Sequence, residues 1–130
     1  MYSQIAFLAL IASGCMYTAF AGAHAGRYAA LIVVASSVAV CVGERAQAWP
    51  IGIVIDALCL MAFTVLAVRY PNTWLLRCGG LQLAKLATHM AAAITPDASP
   101  RLYAALLELW VLVMLATAVR GVWTERRYAR

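Results

Sequence analysis

Five apolar runs, each near the length of a membrane crossing and separated only by short polar breaks, leave this chain few ways to fold. They cover roughly Gln4 to Ala23, Tyr28 to Val42, Ile51 to Val68, Thr73 to Ile94 and Leu102 to Val119. Hydrophobic residues make up 65% of the 130 and charged residues 12%. The mean hydropathy of +0.85 is well above what a water-soluble domain with a polar exterior carries. In lipid only helices and closed barrels satisfy every backbone group, and these runs lack the polar alternation of barrel strands. The sequence therefore predicts an all-α integral membrane bundle of five transmembrane helices, a single domain over residues 1–130 with a basic tail over 120–130. The second run is short, so four crossings plus a re-entrant second segment is the alternative arrangement.

The breaks carry turn chemistry. GERAQAWP, from Gly43 to Pro50, ends on a proline just ahead of a new apolar run, and PDASP, from Pro96 to Pro100, is a stretch no helix passes through. Arg69, Tyr70, Pro71 and Asn72 form a tight connection. Arg69, Tyr70 and Trp74, together with Trp123, Arg126 and Arg127 of the tail, suit a headgroup layer and are expected as interface anchors.

The net charge of +5 comes from ten basic residues against five acids. In a soluble protein that excess points to nucleic acid, but here the arginines fall between or after the apolar runs and so set orientation. With five crossings one side receives Arg27, Arg69, Arg77, Arg120, Arg126, Arg127 and Arg130, and the other Arg45 and Arg101 with Glu44 and Asp97. The richer side is expected in the cytoplasm of a bacterial inner membrane. That puts the amino terminus in the periplasm and gives the tail access to anionic lipid. The expected partners are the bilayer and other membrane subunits or further copies of the chain, with no nucleic acid.

The first run could instead be a cleaved leader, since ASGC, from Ala12 to Cys15, resembles a lipoprotein cleavage site. No Lys or Arg precedes it, however, and Ala12 stands where Leu is usual, so a retained helix is expected. Gly14, Thr18 and Gly22 repeat every fourth residue and make a small-residue packing face, and Ala35, Ala39 and Gly43 repeat the spacing. Gly79 and Gly80 read as a packing notch or a kink. Cys15, Cys41, Cys59 and Cys78 lie in apolar runs without a CxxC pair and are expected as buried thiols.

The fourth run keeps polar groups where lipid would not tolerate them. Cys78, Gln82, Lys85 and His89, in LQLAKLATHM and just before it, are spaced four, three and four, which aligns them on one helix stripe. An ionisable side chain at bilayer depth costs about 2.5–3.5 kcal/mol on insertion scales and persists where partners exist. Asp56 in the third helix, His89 in the fourth and Glu108 in the fifth fall at similar depths, with Lys85 a turn deeper. A buried cluster of Asp56, Gln82, Lys85, His89 and Glu108 is expected. It serves either to fix helix register or to carry protons.

His89 with the small residues of ATHMAAA, Ala87 to Ala93, offers a tetrapyrrole ligand as an alternative. Lys85 stands where antenna helices place alanine, and His24 is at a loop, so no cofactor and no metal is predicted. No catalytic motif is present: GxSxG, HExxH and a phosphate-binding glycine loop are all missing, and no enzyme is predicted.

From Ile51 to Val119 the chain resembles a group of uncharacterised small membrane proteins of sphingomonads and related alphaproteobacteria. The residues that carry the likeness are Asp56 within an apolar helix, Arg69 and Tyr70 followed by Trp74, the Thr88 and His89 pair, and Tyr103 with Ala104 after a proline-containing turn. The resemblance implies an inner-membrane helical bundle and no particular activity. The expected role is a small accessory or assembly subunit of a larger membrane complex, with an energy-transducing complex as one candidate host. The alternative is an oligomeric proton or cation pathway built on the same cluster.

Overall fold

The computed structural model describes residues 2–46, 49–95 and 99–128, with side chains described over 5–38, 50–95 and 99–128. The chain is an all-α five-helix bundle: α1 (Tyr2–Ala21), α2 (His24–Ala46), α3 (Trp49–Arg69), α4 (Thr73–Ile94) and α5 (Pro100–Tyr128). Each helix packs on the next, and α5 closes the bundle against both α1 and α2. The short connections reverse direction at every step. Trp74 at the start of α4 meets Glu125 near the end of α5, whereas His89 late in α4 meets Tyr103 early in α5. In contrast α1 and α5 run parallel, with Gly14 against Leu115 and Gly22 against Val122.

Helix boundaries differ from the hydropathy pattern in α2, α3 and α5. Loss of apolar character is not loss of helix propensity. Helix α2 begins at His24 and continues through Gly43–Ala46, so it is one unbroken helix of 23 residues and not a re-entrant hairpin. Pro50 sits in the first turn of α3, where its missing N–H has no partner to lose. Helix α5 carries on past Val119 to Tyr128, so the residues expected as a basic tail are mostly helical. Residues 1, 47–48, 96–98 and 129–130, among them Pro96, Asp97 and Arg130, lie outside the described residues.

Buried residues form narrow stripes. In α3 they are Gly52, Asp56, Cys59 and Phe63, spaced four, three and four, and in α4 Cys78, Gln82, Lys85 and His89 repeat that rhythm. In α5 the stripe is Leu107, Val111, Met114, Ala118 and Val122. The opposite faces carry large apolar side chains outward, among them Leu31, Val54, Val65, Leu76 and Leu109, each at least half exposed. Two helices, Pro50–Arg69 and Pro100–Tyr128, are long and apolar enough to cross a bilayer.

The small residues of α1 let helices approach. Thr18 is fully buried and turns its hydroxyl back to the carbonyls of Gly14 and Cys15 at 3.0 Å, so it adds no unsatisfied donor to the interface. A Cβ at Gly14 would press on the Leu115 side chain, and one at Gly22 would meet the Cα of Gly26 at 2.7 Å. Gly79 and Gly80 behave otherwise: α4 runs through both without a break, Gly79 faces Phe63 loosely, and Gly80 is exposed, with no atom within 4 Å of where a Cβ would stand. Gly80 makes no packing notch within the bundle, because it lies on the outward face of α4. Cys15, Cys59 and Cys78 are buried free thiols. The Cys41 side chain is outside the described set.

Candidate functional site

The polar stripe of α4 faces the bundle interior and closes on one carboxylate. Asp56 Oδ1 accepts hydrogen bonds from Lys85 Nζ at 2.8 Å, Gln82 Nε2 at 2.9 Å and Ser36 Oγ at 3.1 Å, while Oδ2 accepts from His89 Nε2 at 2.7 Å. Lys85 is saturated as well, donating to Ser36 Oγ at 2.6 Å and to the Ser36 carbonyl at 3.3 Å. Gln82 also donates to the Asp56 backbone carbonyl at 3.1 Å. Four helices therefore meet here, α2 through Ser36, α3 through Asp56, α4 through three side chains and α5 through Tyr103.

The ion pair is sealed. The Lys85 side chain is 0% exposed and that of Asp56 1%. In such a setting the mutual attraction of the charges is strong, but desolvation offsets most of it, so the pair acts mainly by making any other arrangement of the helices costly. The imidazole of His89 bridges two partners: Nε2 faces Asp56 Oδ2, where an Nε2–H donates to the carboxylate, and Nδ1 faces the Tyr103 hydroxyl. The Tyr103 and His89 rings cross edge to face, with centroids 5.6 Å apart. Both nitrogens of His89 are thus engaged by protein groups, and Gly52 lies beside its Cε1. Among the described residues no group of three His, Cys, Asp or Glu side chains is placed to hold a metal.

The structure brings together Asp56, Gln82, Lys85 and His89, but not Glu108. Glu108 is half-buried and makes no hydrogen bond or ion pair among the described residues. Its depth matches and its direction does not: the inward stripe of α5 runs through Tyr103, Leu107 and Val111, and Glu108 is turned about 100° from Leu107. Tyr103 takes the place expected for it. Ser36 is a second member that the sequence reading misses; the only signal is a serine pair, Ser36 and Ser37, in an otherwise apolar run, and both are buried. Ser37 bonds back to the Val33 carbonyl at 2.7 Å. One group is left over: Gln82 Oε1 is buried with no hydrogen-bond partner, because both Asp56 oxygens it could approach demand its amide nitrogen instead.

Outside the cluster, the residues expected as anchors divide. Arg69, Arg126 and Arg127 are exposed, Tyr70 is half-buried against the core, and Trp123 is 48% exposed with the Arg127 guanidinium 4.2 Å above its ring. Trp74, by contrast, is buried between α4 and α5 and donates to Glu125 Oε1 at 2.6 Å. Gly121 makes this possible, since a Cβ there would run into the Trp74 ring. No protein-family model, curated protein or solved structure matches the chain, so geometry alone supports a functional reading.

Proposed function

We propose that the protein is a five-helix inner-membrane protein that serves as a small accessory or assembly subunit of a larger bacterial membrane complex. The outward display of Leu, Val and Ile on every helix supports the bilayer placement, because no water-soluble exterior carries so much exposed aliphatic surface without a partner. The observation that carries the structural role is the sealed Asp56–Lys85 pair. Beneath it Phe63, Leu75, Cys78, Met114 and Ala118 pack toward the far end, and the buried Thr18 hydroxyl there turns back to its own helix, so among the described residues no hydrogen-bonded line leads onward from the cluster. A relay needs such a route, whereas a register-fixing cluster does not.

One observation favours the second reading, a proton pathway. Tyr103, His89, Asp56 and Lys85 form a continuous hydrogen-bonded line whose outer member, Tyr103, is only half-buried. Gentle solubilisation from native membranes distinguishes the two. The accessory role expects the 14.0 kDa chain to migrate in a native gel with other membrane subunits, identified by mass spectrometry. A chain that migrates alone and conducts protons in liposomes would replace the first reading with the second.

Orientation is part of the same proposal: the ends of α1, α3 and α5, with their arginines, face the cytoplasm. A reporter fused after Arg130 is expected to behave as cytoplasmic and one inserted at Asp97 as periplasmic. Finding both on one side would remove the five-crossing arrangement.

A further inference from the structure

A second polar concentration lies at the opposite end of the bundle from the Asp56 cluster. Between the start of α4 and the end of α5 is a cleft of about 510 Å³, whose walls include Thr73, Arg77, Thr117, Arg120, Thr124 and Glu125. The helical spacing explains the gathering. Residues 73 and 77 stand one turn apart on α4, and residues 117, 120 and 124 share one face of α5. The floor is fixed by Trp74, held against Gly121 and hydrogen-bonded to Glu125.

The charges in this cleft are available. Arg77 and Arg120 are exposed and enter no ion pair among the described residues. Trp74 occupies Glu125 Oε1, and Oε2 has no hydrogen-bond partner among the described residues. Two guanidiniums from different helices make a fork for phosphate oxygens. The carboxylate beside them repels a simple anion and attracts a cation. A ligand with a phosphate and a short ammonium group satisfies both signs at once. The cleft also lies at the level of Tyr70 and of the Trp123–Arg127 stack, the chemistry expected of a headgroup layer.

We infer that this cleft binds the phosphoethanolamine headgroup of a membrane lipid, with the phosphate on Arg77 and Arg120 and the ammonium on Glu125. The inference rests on the bilayer placement proposed above and is independent of the accessory role. Choline is a poorer fit, since its quaternary nitrogen has no N–H to donate to Glu125. Phosphatidylglycerol offers the phosphate without the cation.

The test is native mass spectrometry of the purified full chain in detergent with phosphatidylethanolamine, phosphatidylglycerol or phosphatidylcholine added in turn. Charge-assisted hydrogen bonds of this kind correspond to about tenfold in affinity each, so phosphatidylethanolamine is expected to be retained about tenfold better than either alternative. The exposed pair Arg77→Gln with Arg120→Gln is expected to weaken that binding by about tenfold or more. Glu125→Gln keeps an oxygen for the Trp74 N–H, so the fold is retained. Its expected effect is to abolish the preference over phosphatidylglycerol without weakening phosphatidylglycerol itself. Equal retention of all three lipids, or an unchanged preference in Glu125→Gln, overturns the assignment. Displacement by soluble phosphoethanolamine at equal concentration would transfer the site from lipid to a free phosphate ester. Cell fractionation separates the underlying premise: a chain recovered outside the membrane fraction refutes the bilayer placement, whatever the lipid result.

Discussion

Asp56→Ala is expected to cost about 3–5 kcal/mol, a large part of the stability of a bundle this small, because it leaves the Lys85 ammonium buried with only Ser36 beside it. Lys85→Met is expected to cost less. The carboxylate then keeps the hydrogen bonds from Gln82, Ser36 and His89, so the remaining charge is still solvated by protein groups. The double variant Asp56→Asn with Lys85→Met removes both charges and retains an oxygen acceptor, and it is expected to recover most of the loss. Thermal melting of the purified protein and its yield in the membrane fraction measure the series. A melting curve for Asp56→Ala that overlays the wild type, or a double variant no better than the single one, would show that the ion pair does not hold these helices together. The same double variant separates the two functional readings. Recovered assembly with recovered activity of the host complex supports a structural cluster, and recovered assembly without activity points to a proton pathway.

Gly121→Ala is the second large effect. Its new methyl group would strike Trp74 near the backbone, at atoms that cannot swing aside, so either α4 and α5 separate or Trp74 leaves its seat and abandons Glu125. Overpacking of that kind costs about 1–3 kcal/mol, with about 1 kcal/mol more for the hydrogen bond. Two further glycines calibrate it. Gly14→Ala meets only the mobile end of Leu115, which can turn, and is expected to be mild. Gly80→Ala meets nothing and is expected to stabilise α4 by about 0.5–1 kcal/mol through backbone entropy. Melting temperatures should therefore fall in the order Gly80→Ala, wild type, Gly14→Ala, Gly121→Ala. Equal melting of the first and last would unseat Trp74 from its place against α5.

What could be read from the sequence was periodicity, and what could not was direction. The spacing of Cys78, Gln82, Lys85 and His89 is a property of one helix, so their shared stripe is legible without a partner. Depth is legible too, since Asp56 and His89 are each a countable distance from a helix end. Azimuth across helices is not: Glu108 and Tyr103 are comparable candidates until the rotation of α5 is known, and the apolar stripe from Leu107 to Val122 sets that rotation in favour of Tyr103. Ser36 is concealed for a different reason, since a hydroxyl in a helix commonly bonds its own backbone, as Ser37 does, and nothing local distinguishes the two. Trp74 reads as a surface aromatic from its neighbours Arg69 and Asn72. Only the absence of a side chain at Gly121, in a helix 47 positions away, shows that it is buried.

The placement of the two opposite charges on consecutive helices also has a consequence in time. Asp56 and Lys85 are 29 residues apart in sequence, so a ribosome adding about 5–20 residues per second supplies the cation roughly 1.5–6 s after the anion. In the bilayer placement proposed above, α3 alone would during that interval present an uncompensated carboxylate to lipid. Because only the turn at Tyr70–Asn72 separates them, α3 and α4 are suited to leave the insertion machinery as a pre-neutralised hairpin, with Ser36 of α2 already waiting to receive it.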